Sequence, residues 1–197
     1  GIDAREGPTV SGLADQPAAP MAARPPIISR SAWGAAESPI PWPPEYRPPR
    51  AIVIHHTATG DGDVDPAAMV RAIYYYHAFE REWGDIGYNY LIDHMGNIYE
   101  GRAGGVGVVG GHARGYNYGS IGIALIGDHA ENPVPQAALD RLTDFLAWQC
   151  TDHFIHPTQQ RYFVDRDLPT ILAHRDVANT TCPGDHAYGL MNTIRSQ

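Results

Sequence analysis

The chain has 197 residues, 43% of them hydrophobic and 18% charged, with a formal net charge of −8. This supports one domain with a substantial core rather than two. The acidic balance, with no basic run, argues against a nucleic-acid partner and against adhesion to anionic membranes by bulk charge. All fourteen cationic residues are arginine, which excludes any chemistry that needs a lysine ammonium. No stretch approaches the roughly 18 apolar residues of a membrane span. Cys150 and Cys182 allow at most one disulfide; if Cys182 binds metal, Cys150 is left unpaired. The start at Gly1 reads as a processed N-terminus, and no signal-peptide pattern is visible.

Residues 1–26 are rich in Ala, Pro and Gly and show no period of 2 or 3.6, so they read as a flexible arm or linker. The domain is expected over residues 27–197. The proline-dense passage from Pro39 to Pro49 cannot be regular helix or inner strand. Ala51-Ile-Val-Ile-His-His56 is apolar on both faces until its last two residues, the pattern of a central strand. Asp65-Pro66 supplies an N-cap followed by proline, opening a helix to about Glu80. Tyr88–Asp93 and Ile98–Glu100 read as a hairpin across Gly96, and Ser120–Ile126 as a further buried strand. Gln136–Phe154 carries Leu139, Leu142, Phe145, Leu146 and Cys150 at helical spacing. Thr170–His174 is a short strand, and Asp185–Ile194 a last helix. Strands alternate with helices and one hairpin interrupts them. The class is therefore α/β, one domain with a mixed central sheet flanked by helices.

Three residues of this pattern suit one metal ion. His55 ends the first buried strand, His174 ends the last, and Cys182 follows eight residues later in a polar loop before Pro183-Gly184. Two histidines and a cysteine suit zinc and leave its fourth tetrahedral position open for water. Taken alone, His55 reads equally well as a hydrogen-bonded rim histidine. His56 points to the opposite face and reads as a core or supporting residue. Cys150 falls on the apolar face of its helix and reads as core. His77, His94, His129, His153, His156 and His186 have no distinguishing spacing and read as surface or structural.

Six motifs occur in order: Trp33-Gly34-Ala35, Val53-Ile-His-His-Thr57, Asp85-Ile-Gly-Tyr88-Asn-Tyr90, Tyr99-Glu-Gly-Arg102, Ser120-Ile-Gly-Ile123, and His174-Arg-Asp-Val177 with Cys182-Pro-Gly184. The series resembles the peptidoglycan recognition protein and zinc amidase family, which includes phage lysozyme-type amidases. The resemblance runs from about residue 26 to the C-terminus. It implies a cleft at the sheet edge holding one zinc ion on His55, His174 and Cys182. The implied activity is hydrolysis of the amide joining the lactyl group of N-acetylmuramic acid to the L-alanine of the stem peptide. Tyr88 matches the tyrosine whose hydroxyl faces the metal, and Thr180 matches a position that assists. His112 matches a position lining the substrate groove; Arg102, as a carboxylate partner, and His56 stand with it on the substrate side. The implied partner is peptidoglycan or its muropeptides; no sequence feature sets the oligomeric state, and a monomer is the default expectation.

The chain departs from parts of the family. Thr180 stands where some relatives carry lysine, and Ala124 where another branch carries a glutamate base, so the proton donor to the leaving amine stays open. Ala103-Gly104 replaces the Gly-Trp pair that reads diaminopimelate in animal relatives, so no preference between wall types follows. Two activities remain: an amidase, and a module that recognises muropeptides without cutting them. Loss of the zinc cysteine marks the second kind, and Cys182 is present. The expected location is secreted or cell-wall associated, with a phage endolysin released at lysis as the alternative.

Overall fold

Every residue of Ala51–His56 (β2) and Ser120–Leu125 (β5) is buried, as two-sided cover of inner strands requires. In the computed structural model, which describes residues 21–37 and 43–197, these strands are parallel neighbours. They belong to a six-stranded sheet completed by Ile27–Ile28 (β1), Tyr90–Ile92 (β3), Ile98–Glu100 (β4) and Ile171–Ala173 (β8). The order is β1-β4-β3-β5-β2-β8. Only β3 and β4 pair antiparallel; the other pairings are parallel, so the sheet is mixed. The β3–β4 turn needs its glycine. Gly96 has φ +81°, and a Cβ there would lie 2.7 Å from the Ala137 carbonyl oxygen.

Pro66–Tyr75 (α2) begins at Asp65, whose Oδ1 accepts from the Ala68 N–H at 3.0 Å. The helix expected to run to Glu80 changes pitch at Tyr76, and Tyr76–Glu80 is π-helical. That widened turn buries His77 and Ala78, and such bulges are frequent at functional sites. Gln136–Asp152 (α3) matches its expected span. The expected last helix is two, Asp185–Tyr188 (α4) and Met191–Ser196 (α5). Four elements carry no clear sequence signal: β1, the short Arg30–Trp33 helix (α1), and the hairpin strands Gln160–Phe163 (β6) and Arg166–Pro169 (β7). That hairpin turns through Val164 at φ +65°, where a β-branched residue gives no turn signature.

Residues 1–20 of the arm expected over 1–26 lie outside the described residues, as does the part of the proline-rich passage at 38–42. Ahead of β1, Pro25 is buried and the Arg24 guanidinium sits 5.3 Å from the Trp148 ring centroid on α3. Among the described residues no helix is long and apolar enough to cross a membrane.

The two faces of the sheet differ. Ile52, Ile54, Ile121, Ile123 and Leu125 point towards α3 and α5 and form the main core with Leu142, Phe145 and Ile194. On the other face, Leu91, Tyr99, Ala124 and Ile126 pack with α1 and α2 at one end. Ala51, Val53 and Leu172 pack with Ala113, Tyr116 and the β6–β7 hairpin at the other. A cleft opens between these two smaller clusters.

Candidate metal centre

Parallel pairing of β2 with β8 sets Ile54 opposite Ala173. The next residue in each strand direction is therefore a histidine: His55 in β2 and His174 at the start of a 3₁₀ turn, His174–Asp176. Both project on the cleft side, and their ring centroids are 4.5 Å apart. The loop after the 3₁₀ turn returns Cys182 to the same point. Arg175 holds that loop: its backbone N–H donates to the Cys182 carbonyl at 3.0 Å, and its guanidinium bonds the Thr181 carbonyl and the Asp185 carboxylate.

One ligand atom from each of His55, His174 and Cys182 lies within 4.8 Å of the other two. Zn–N near 2.0 Å and Zn–S near 2.3 Å at a tetrahedral angle require an N···S separation of about 3.5 Å. The His55 Nδ1 to Cys182 Sγ distance is 3.6 Å. The three residues brought together are those read from the sequence, and their donor chemistry fits zinc.

The electrostatics favour neutral imidazoles. Burial, then the neighbouring His112, His174 and His56, lower His55 well below the ordinary value. Burial also lowers His174. Burial raises the Cys182 thiol to about 11, opposed by a backbone hydrogen bond with His56 and by the nearby Arg175 charge. A bound cation reverses that balance and holds the thiolate.

The other expected residues surround this centre. The Tyr88 ring centroid is 5.3 Å from that of His55, and burial raises its hydroxyl pKa, so the phenol keeps its proton. Thr180 lines the cleft and its Oγ1 accepts from the Cys182 N–H at 3.2 Å. His112 lines the cleft but is only 8% exposed, with Nδ1 3.0 Å from His55 Nε2 and Nε2 3.3 Å from Ser120 Oγ. His56 turns to the other face, where its Nδ1 accepts from the His129 N–H at 3.1 Å. Arg102 stands farther along, its Nε donating to the Ile86 carbonyl at 3.1 Å. Its possible partner Asp85 is engaged by Arg30 at 3.0 Å.

The cleft at the centre has a volume of about 300 Å³. Trp83, Gly111, His112 and His174 are shared with an adjoining hollow of about 530 Å³ that also meets Arg102, Arg114 and Asn117. Together they form a continuous groove.

His77 corrects the sequence reading. Read as surface or structural, it is buried and lines the cleft, stacked at 4.7 Å on Trp83 and 5.4 Å from Tyr88. Its Nδ1 accepts from the Gly87 N–H at 3.1 Å, leaving the proton on Nε2, and burial lowers its pKa to about 4. The π-helical turn that presents it has no signature in the hydrophobic spacing. Cys150 is buried and free, as its helical position implies.

Comparison with known proteins agrees with this geometry. A family model described as N-acetylmuramoyl-L-alanine amidase matches residues 45–185. Peptidoglycan-recognition protein LB of Drosophila melanogaster is 34% identical over 167 residues, 82% of this chain and 66% of that protein. Peptidoglycan recognition protein 1 of Bos taurus is 34% identical over 169 residues, 84% of this chain and 82% of that protein. The chain thus spans just under two thirds of the LB protein and most of the bovine one. The wild-type LB structure superposes with a TM-score of 0.70 at 32% identity, covering 85% of this chain and 93% of that one. An endolysin N-acetylmuramoyl-L-alanine amidase, LysCS of Clostridium intestinale, superposes at 0.67 with 26% identity, covering 87% and 96%. With the family model matching residues 45–185 and the fold shared over about 85% of the chain, this protein belongs to the N-acetylmuramoyl-L-alanine amidase family, together with the peptidoglycan recognition proteins.

Proposed function

We propose that the protein is a zinc-dependent amidase that hydrolyses the bond between the lactyl carbonyl of N-acetylmuramic acid and the L-alanine of the stem peptide. The observation that carries this reading is the convergence of His55, His174 and Cys182 within one ligand sphere beside the Tyr88 ring. Zinc, when bound there, supplies Lewis acidity towards the scissile carbonyl and activates water at neutral pH. The chain's own residues do the rest. His55 and His174 are held neutral by burial, the form in which imidazole donates a lone pair.

Tyr88 keeps its hydroxyl proton and donates it, as a hydrogen bond, towards the carbonyl oxygen as negative charge grows there. Donors of this kind are worth roughly 3 kcal/mol in other hydrolases. Thr180 ties the Cys182 amide into place and presents its hydroxyl to the cleft. The His77 imidazole closes the wall opposite with its proton on Nε2. Of the two arginines along the groove, Arg102 and Arg114, Arg102 is held in position by the Ile86 carbonyl and is the one assigned to a stem-peptide carboxylate. Peptidoglycan lies outside the cytoplasmic membrane, so this reading implies a secreted or wall-facing setting.

Mass spectrometry of a purified muramoyl-peptide decides between cutting and recognition. Release of a stem peptide beginning with L-alanine, abolished by a chelator and restored by zinc, is the expected result. An intact substrate beside fully zinc-loaded protein would make the chain a muropeptide-recognition module instead.

A further inference from the structure

The Ser120-Ile-Gly122 segment of β5 contributes no metal ligand, yet it stands directly behind the centre. Ser120 and Gly122 lie on the cleft face of β5, opposite Ala51 and Val53 of β2. Gly122 leaves room for the His112 ring, since a Cβ there would overlap ring atoms of that histidine, and one at Gly110 would lie 2.6 Å from its Cδ2. The ring is therefore clamped between two glycines. Its backbone is pinned as well: the His112 and Ala113 N–H groups both donate to Asn117 Oδ1, at 2.9 and 2.8 Å.

Hydrogen-bond bookkeeping then fixes where every proton in this row sits. The Ser120 hydroxyl has one proton, and it faces two backbone carbonyls, Tyr116 at 2.6 Å and Asn117 at 3.2 Å. Carbonyls only accept, so that proton is committed and Ser120 Oγ can only accept from His112 Nε2, 3.3 Å away. His112 thus carries its proton on Nε2, and its Nδ1 is an acceptor. That acceptor is 3.0 Å from His55 Nε2, which must therefore be the protonated nitrogen of His55. The remaining nitrogen, His55 Nδ1, is left with a bare lone pair pointing at Cys182 Sγ, 3.6 Å away.

We infer that His112, seated by Ser120 and Gly122, is the positioning residue that fixes the tautomer and orientation of the metal ligand His55. It acts through His55 rather than on substrate, because both of its ring nitrogens are engaged within the protein. Outer partners of this kind typically govern metal affinity by 10- to 100-fold. The inference rests on the zinc-amidase reading for its consequence, but the proton arrangement itself exists in metal-free protein.

The test begins there. Long-range ¹⁵N–¹H correlation spectra of metal-free wild-type protein at neutral pH are expected to show His55 and His112 both as the Nε2–H tautomer. Either ring in the Nδ1–H form overturns the inference. His112→Phe, which keeps a ring but removes the acceptor, is expected to weaken zinc binding about 10- to 100-fold in chelator competition. It is also expected to shift the absorption bands of the cobalt-substituted protein. Ser120→Ala, smaller and less disruptive, is expected to move both readouts in the same direction and to mix the His112 tautomers; it carries the test if His112→Phe does not fold. Wild-type zinc affinity in these variants, with only KM raised, would make His112 a substrate contact and overturn the inference. If wild-type protein binds no zinc, the amidase reading fails while the tautomers still decide this one.

Discussion

The two faces of the central sheet use alternate residues of the same strands for opposite purposes. On the α3 face, β2 and β5 present Ile52, Ile54, Ile121, Ile123 and Leu125, large apolar side chains packed into a continuous core. One residue away along each strand, the cleft face presents His55, Ser120, Gly122 and Ala124. The first face is filled to bury apolar area, which is worth about 25 cal/mol per Å². The second is kept small and polar so that a histidine pair can stand where a core would otherwise close. The difference shows how a sheet can be stable and carry a site: one face supplies the rigidity that the other uses.

The comparison is broken most severely by Cys182→Ser. It is expected to retain the fold by circular dichroism, to lose stoichiometric zinc, and to hydrolyse muramoyl-peptide at background rate. Full activity would remove Cys182 from the metal centre. Tyr88→Phe comes next: kcat should fall by about 10²- to 10³-fold with zinc content unchanged, as measured by steady-state kinetics and metal analysis together. A variant as fast as wild type would leave the growing oxyanion without its assigned donor.

A matched pair of substitutions sharpens the contrast between the faces. Ile123→Ala, on the fully buried core face, should lower unfolding free energy by about 2–5 kcal/mol. The kcat/KM of the folded protein should stay the same. Gly122→Ala, one residue along, should cost about 1–3 kcal/mol by overpacking the His112 ring. Unlike its neighbour, it should also weaken zinc binding. Chemical denaturation and chelator competition on both proteins give the four numbers. Equal effects on zinc would collapse the distinction between the faces.

The smallest expected effect is one of pH. Burial lowers His77 to about 4 and His112 to about 3, against an ordinary value of about 6.5. Between pH 6.5 and 4 the unfolded chain therefore binds more protons at these sites than the native one. Stability is fully present above pH 6.5 and falls on acidification, by about 1.4 kcal/mol per pH unit for each such histidine. His77→Phe should flatten the stability–pH slope by one proton, measured from urea midpoints between pH 7 and 5. An unchanged slope would show that His77 is not held neutral in the cleft wall.

Much of this was written in local pattern. The apolar run of Ala51–His56, the Asp65-Pro66 helix start, the Gly96 turn and the 3- and 4-residue spacing of α3 are each set by neighbours in sequence. Their extents in the structure follow closely. The metal ligands were legible for the same reason, since strand ends and a Cys-Pro-Gly loop mark them, and the family motifs reinforce them.

What local pattern leaves out is what depends on contacts between distant segments. The π-helical turn that sets His77 in the cleft wall follows from packing against Trp83 and the Gly87 amide. The β6–β7 hairpin, turning through Val164-Asp165 with a β-branched residue at positive φ, is held by burial of Phe163 and Leu168 against β2 and β8. The proton order along Ser120, His112 and His55 spans 65 residues of sequence and exists only because parallel register sets β5 beside β2. The sequence by itself determined the elements, the class of fold and the three donors for a metal. Only the tertiary structure decided which histidine supports which, because hydrogen bonds and burial are set by neighbours in space.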